Sequence, residues 1–198
     1  MEIKQTYEAL ILAGGRGARL GGKDKGWIMW SGLPLVEHAL SALARQSPPP
    51  SRILISANRN VDAYQQTGHT VVTDERPDFP GPLAGIEAGL MRCKKKYLLV
   101  VPCDVPLLPN IYDRLQQSLD DLPEALAAYV VTSDGPQPLC CLIKPSAAAS
   151  LGKQLDAENG QALAWLASIN AIPVMFDDAA LFANFNTPEA LQSQRNPS

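Results

Sequence analysis

Five glycines and four cationic side chains fall within fourteen residues, from Leu12 through Ala13, Gly14, Gly15, Arg16, Gly17, Ala18, Arg19, Leu20, Gly21, Gly22, Lys23 and Asp24 to Lys25. Glycine tolerates positive φ and lets a ligand approach the backbone closely. Four positive charges in the same stretch offset several phosphate charges. The composition suits a polyphosphate cradle; the alternative is an ordinary surface loop. Neither common nucleotide loop fits. The dinucleotide pattern G-x-G-x-x-G fails because Leu20 stands where its third glycine is needed. Gly17 to Lys23 matches G-x-x-x-x-G-K, but Asp24 replaces the serine or threonine that binds magnesium in a P-loop. An acid there repels phosphate unless its own charge is met.

Other groups could complete such a site. Asp104 follows the apolar run Tyr97 to Val101 and lies between Pro102 and Pro106, which restrict the backbone on both sides. A carboxylate held there suits Mg²⁺ bound together with nucleotide phosphates; the alternative is a cap on the helix expected near Pro109. Asp74 ends an expected strand and precedes a loop containing Pro77, Pro80, Gly81 and Pro82. Asn58 ends another, and its amide could read a base edge; for both, an ordinary turn residue is the alternative. Gly81 to Gly85 opens an expected helix, whose free N–H groups suit an anion or a base. Asn184 and Asn186 fall on one side of an extended segment by alternation. Thr187-Pro188-Glu189 reads as a helix cap.

The elements that must position these groups alternate along the chain. Strands are expected at Tyr7 to Leu12, Arg52 to Ala57, Thr70 to Thr73, Tyr97 to Val101, Ala125 to Thr132, Leu139 to Ile143 and Ile172 to Phe176. Helices are expected after Pro34, around Asp62 to Gln66, from Leu83 to Met91, Pro109 to Leu119, Ser146 to Leu155 and Gln161 to Ser168. Asp134-Gly135-Pro136 marks a turn. The alternation implies an α/β three-layer sandwich with a mainly parallel sheet. In such sheets ligands sit beyond the carboxyl ends of the strands, where the glycine-rich loop falls.

The 198 residues suit one domain, and 46 % hydrophobic residues suffice for a core. A net charge of −3 argues against a dedicated nucleic-acid binder. Cys93, Cys103, Cys140 and Cys141 form no C-x-x-C pair and read as reduced thiols of a cytoplasmic protein. With His38 and His69 the only histidines, a histidine-rich metal site is excluded. No apolar run reaches membrane-helix length, so no membrane association is expected. Trp27, Trp30 and His38 are expected to pack, and Lys94-Lys95-Lys96 to form a solvated turn.

Leu12 to Gly15, Arg19, Gly21, Asp24-Lys25, Gly32, Pro34-Leu35 and His38 resemble the signature of nucleotidyltransferases of the molybdenum cofactor guanylyltransferase (MobA) type. Gly17 and Leu20 depart from a frequent serine and a methionine, and neither removes a charge. The resemblance continues through Asn58, Asp74, Gly81-Pro82-Leu83-Ala84-Gly85, Pro102-Cys103-Asp104-Val105-Pro106, Pro138 and Asn184-Phe185-Asn186-Thr187-Pro188-Glu189. It implies a Rossmann-like nucleotidyltransferase that transfers GMP from GTP to molybdopterin and releases pyrophosphate. It implies GTP contacts at Leu12, Ala13, Gly14, Gly15, Lys25, Asn58, Asp74, Gly81, Pro82, Leu83 and Asp104, with Asp104 holding Mg²⁺. Arg19, Lys25 and Asp104 become the catalytic candidates, and Asn184 and Asn186 candidates for the acceptor or the metal's surroundings. Residues 1–108 are expected to handle nucleotide and 109–198 the acceptor. The expected partners are GTP, molybdopterin, other cofactor-biosynthesis proteins and recipient molybdoenzymes, with the chain a monomer. Cytidylyltransferases of the molybdopterin type usually show L-A-A-G, so Leu12-Ala13-Gly14-Gly15 favours guanine; transfer of CMP, or of a nucleotide to a sugar phosphate, is the alternative within the fold, and a GTP-binding cofactor carrier the alternative outside catalysis.

Overall fold

A computed structural model describes residues 6–14, 24–74, 76 and 81–185. Strand β1 (Tyr7–Leu12) is wholly buried and lies between β4 (Ile53–Ser56) and β6 (Tyr97–Pro102), parallel to both. Its unbroken apolar run is what a parallel strand covered on both faces requires. Alternate side chains feed two cores: Tyr7, Ala9 and Ile11 enter one, Leu10 and Leu12 the other. The first core is closed by α1 (Leu35–Ala44), α2 (Val61–Gln65) and α4 (Tyr112–Asp121), the second by α3 (Pro82–Arg92), α5 (Ala148–Asp156) and α6 (Ala162–Ser168). The result is the expected three-layer sandwich.

With β5 (Thr70–Val72), β7 (Ala127–Thr132), β8 (Gly135–Ile143) and β9 (Ile172–Met175), the sheet among the described residues has seven strands in the order β5-β4-β1-β6-β8-β7-β9. Only β8 runs antiparallel to its neighbours β6 and β7. The β7–β8 turn is tighter than expected: Gly135 (φ +116°) and Pro136 already belong to β8. Pro136 pairs with Val131 of β7, whereas β6 meets β8 only at Cys141 to Ile143. Proline is thus confined to the part of β8 with a neighbour on one side, where its missing N–H matters least.

Two further local differences have clear causes. Helix α4 starts at Tyr112 rather than near Pro109, because the side chain of Gln46 accepts from the N–H groups of Ile111 (2.9 Å) and Tyr112 (3.2 Å). That cap comes from 65 residues away. A hairpin of β2 (Met29–Trp30) and β3 (Leu33–Pro34) was not expected. It turns at Ser31 and Gly32, both with positive φ (46° and 86°), as a two-residue hairpin demands.

Helix α3 lies close to the sheet through its glycines. A Cβ on Gly89 would stand 2.6 Å from Leu10 Cδ2 and 3.2 Å from Leu98 Cδ2. Gly89→Val is therefore expected to destabilise the protein by about 1–3 kcal/mol through overpacking, read as a lowered midpoint in urea. An unchanged midpoint would mean that α3 lifts from the sheet without cost.

Candidate active site

The carboxyl ends of β5, β4, β1 and β6 form one continuous rim. Past β1, Ala13 N–H and Gly14 N–H both donate to the Ser56 carbonyl, at 3.0 and 2.9 Å. Ala57 N–H donates to the Val72 carbonyl (3.1 Å) and Cys103 N–H to the Leu12 carbonyl (3.1 Å). Backbone pairing therefore carries Leu12, Ala13, Gly14, Asn58, Asp74 and Asp104 to neighbouring positions on the rim. Gly15, Arg19 and Asn186 lie outside the described residues.

Asp104 is 5 % exposed, and its Oδ2 accepts from the Lys25 ammonium. The cap reading of Asp104 fails, since α4 starts at Tyr112 and Gln46 serves its N–H groups. The Asp104 carbonyl accepts from Phe185 N–H at 2.9 Å, which ties residues 183–185 to the end of β6. Phe185 is buried against Trp30 with ring centroids 5.0 Å apart, and Trp30 lies edge-on to His38 at 4.7 Å. The His38 Nε2 stands 2.9 Å from the Trp30 carbonyl. The hairpin and α1 thus hold the segment in place, and His38 and Trp30 pack as expected. Asn184, exposed, is delivered beside Asp104 through its neighbour Phe185. Cys103 is buried, which pushes its thiol well above the ordinary range and leaves it unsuited to nucleophilic work.

At the far end of the rim Asn58 and Asp74 form a reciprocal pair. Asn58 Nδ2 donates to Asp74 Oδ2 (2.6 Å), and Asp74 N–H donates to Asn58 Oδ1 (2.9 Å). Both ends of the amide are used, so its orientation is fixed. Asp74 Oδ1 is buried without a hydrogen-bond partner among the described residues. Burial pushes the Asp74 carboxyl up, while the bond from Asn58 pulls it down. Buried acceptors are nearly always paired, so an orphaned one invites a donor from a ligand.

Gly81 (φ +88°) precedes α3, where Pro82 occupies the first turn, so the Gly81-Pro82-Leu83 step needs the left-handed region that glycine permits. Arg76 ties α3 to α5. Its guanidinium holds Glu87 of α3 through two bonds (2.6 and 2.8 Å) and Asp156 of α5 through a third (2.7 Å).

Lys25 begins a 3-10 turn, Lys25–Trp27, whose cap is Asp24. Asp24 accepts from Tyr64 Oη (2.6 Å), Asn60 Nδ2 (2.9 Å) and Gly26 N–H (3.2 Å). The acid that disqualified a P-loop is thus engaged by three neutral donors. Sequence reasoning did not single out Tyr64 or Asn60, because only the tertiary structure brings α2 against this turn. A 630 Å³ cavity lies at the same turn, lined by Asp24, Trp27, Ile28, Met29, Asn60 and Ala63. It includes none of Asn58, Asp74 or Asp104.

Among the described residues no three His, Cys, Asp or Glu side chains cluster as a metal-binding group. The lone carboxylate of Asp104 nevertheless suits Mg²⁺, which takes one or two carboxylates and completes its shell with water and phosphates. No helix among the described residues is long and apolar enough to cross a membrane.

A mainly parallel α/β sheet with an acid and a lysine on one side of its rim and a fixed Asn–Asp pair on the other suits a nucleotidyltransferase. The chain belongs to the MobA-like NTP transferase domain family, whose model matches residues 9–172. It is 44 % identical over 196 residues to the molybdenum cofactor guanylyltransferase of Cupriavidus metallidurans, covering 96 % of this chain and 95 % of that protein. It is also 44 % identical over 192 residues to the protein of that name from Polynucleobacter asymbioticus, with 95 % of both covered. Among solved structures, molybdopterin-guanine dinucleotide biosynthesis protein A from Archaeoglobus fulgidus superposes with a TM-score of 0.74 at 22 % identity, covering 93 % of this chain and 95 % of that one. CMP:2-keto-3-deoxy-manno-octonic acid synthetase, solved with CTP, shares the fold with a TM-score of 0.77 at 13 % identity over 96 % of this chain and 97 % of that one.

Proposed function

We infer that this enzyme transfers GMP from GTP to the phosphate of molybdopterin, forming the guanine dinucleotide cofactor and pyrophosphate. The names of its relatives support the reaction, and the Asn58–Asp74 pair carries the choice of base. Guanine presents two adjacent donors, N1–H and the N2 amino group, on its pairing edge. A carboxylate accepts both. Adenine and cytosine each place an acceptor beside their amino group, and uracil offers one donor between two acceptors. Asn58 fixes the Asp74 carboxylate through Oδ2 and leaves Oδ1 without a partner, and a carboxylate so oriented favours the paired donors of guanine over the other bases. From β5 to β6 is three strand spacings, roughly 14 Å. That span lets the base lie at Asp74 and the phosphates at Lys25 and Asp104, with Leu12 to Gly15 and Gly81 to Leu83 along the nucleotide.

An acceptor phosphate oxygen attacks the α-phosphorus. A new P–O bond forms as the bond to the β-phosphate oxygen breaks, and pyrophosphate leaves with the electron pair. No enzyme nucleophile is needed. Lys25 and Arg19 neutralise and orient the triphosphate, and Asp104 holds Lys25 in place and binds Mg²⁺. When bound there, Mg²⁺ supplies positive charge to the phosphates. Asn184, next in sequence to the residue that bonds the Asp104 carbonyl, and Asn186 are assigned to the acceptor. Residues 1–108 serve the nucleotide and 109–198 the acceptor. A GTP donor fits an enzyme of the cytoplasm; we assign it as a monomer that passes product to further biosynthesis proteins and molybdoenzymes.

Pyrophosphate release in the presence of molybdopterin, compared across GTP, CTP, UTP and ATP, tests the reading. Release with GTP alone is expected, and equal rates with CTP would overturn the guanine assignment. Asp74→Asn presents an amide where guanine needs an acceptor. It is expected to weaken GTP binding by about 10-fold or more, since hydrogen bonds to a charged group are worth about 1.5–3 kcal/mol. Calorimetry that found unchanged GTP affinity would place the base elsewhere.

A further inference from the structure

The Asp24 turn has a feature that phosphate binding alone does not explain. Tyr64 has no exposed surface, and its ring lies in the α1/α2 core, 5.1 Å from that of Trp27. Its hydroxyl leaves the core only to meet Asp24 (2.6 Å). Burial and this bond both raise the phenol above its ordinary range, so it remains a donor at neutral pH. Asn60, at the start of α2 with φ 50°, donates to the other Asp24 oxygen. The two donors grip both carboxylate oxygens, and Gly26 N–H adds a third bond. Gly26 is required by the same arrangement: a Cβ there would collide with the Tyr64 hydroxyl. The next residue along the chain from Asp24 is Lys25, which reaches Asp104 across the crevice.

We propose that Tyr64, with Asn60, is a positioning residue for GMP transfer: α2 clamps Asp24, and the clamped turn aims Lys25 at Asp104 and the incoming triphosphate. The proposal rests on the reading of Lys25 as a phosphate-binding residue. The three groups that donate to Asp24 are themselves neutral, so they engage its charge by hydrogen bonds alone. The clamp joins a core side chain to the turn, so the packed body of the protein adds to the bonds that the turn's own backbone makes at Asp24 and Lys25.

The test is a double-mutant cycle of Tyr64→Phe with Lys25→Ala, read as turnover at saturating GTP, GTP affinity by calorimetry and the melting midpoint. Tyr64→Phe keeps the ring and removes one bond to a carboxylate, and is expected to slow turnover by about 10-fold. In the Lys25→Ala background the same change is expected to do nothing further, because there is no lysine left to aim. A purely structural hydroxyl would instead lower the melting midpoint in both backgrounds and leave turnover per folded enzyme unchanged. Asn60→Gly keeps the left-handed backbone, removes the exposed donor and supports the same cycle if the core substitution proves unstable. Full activity in Tyr64→Phe and Asn60→Gly beside an impaired Lys25→Ala overturns this inference alone. Equal losses in both backgrounds overturn it as well. Wild-type activity in Lys25→Ala overturns the phosphate role of Lys25 and the positioning proposal with it.

Discussion

Asp104→Ala is expected to reduce GMP transfer by about 10²–10³-fold, equivalent to ~3–4 kcal/mol in the barrier, while the protein stays folded. The carboxylate has two tasks in the proposed site: it holds the Lys25 ammonium, and it offers a hard oxygen ligand at the phosphate end of the rim. Without it the triphosphate loses orientation at the α-phosphorus, where small misplacements cost much of the rate. The fold should tolerate the loss. Alanine takes away a nearly buried charge, and Lys25, whose side chain is 27 % exposed, can turn its ammonium to water. Asp104→Asn keeps the shape without the charge and is expected to be nearly as impaired. Turnover and thermal melts on the same preparations decide the matter. An active Asp104→Ala protein would sink the assignment, whatever its melting point.

Lys25→Ala is expected to weaken GTP binding by about 10–150-fold, the equivalent of a charge-assisted contact worth about 1.5–3 kcal/mol. Its structural cost should exceed that of Asp104→Ala, because the partner left behind is different. Asp104 is 5 % exposed, so losing Lys25 strands a carboxylate away from water, whereas losing Asp104 leaves a lysine that can reach it. At neutral pH the Lys25→Ala protein should therefore melt below Asp104→Ala. The double variant Lys25→Ala with Asp104→Asn should recover stability and stay inactive. Melting points in the reverse order would mean that the two side chains are not coupled in solution.

Much of this molecule is legible from residue types alone. The buried strands Tyr7–Leu12 and Tyr97–Pro102 announce themselves as unbroken apolar runs, because parallel strands covered on both faces admit no polar alternation. The glycine-rich stretch, Asp74, Asn58 and Asp104 all stand at strand ends, and that position depends only on where the apolar runs stop. Local chemistry cannot decide pairings between distant segments. The antiparallel insertion of β8 beside β6 pairs residues more than forty positions apart, which neither segment specifies by itself. Helix α4 starts where Gln46, just past the C-terminal end of α1, satisfies its N–H groups, so no rule applied to residues 109–112 alone could find the boundary. The reciprocal Asn58–Asp74 bonds and the seat of Phe185 on the Asp104 carbonyl are likewise products of packing. Asp24 shows the division most directly. Its sequence context identifies an acid in a phosphate loop, an apparent conflict of charge; only the fold supplies Tyr64 and Asn60, because the donors that resolve the conflict sit on a helix more than thirty residues away.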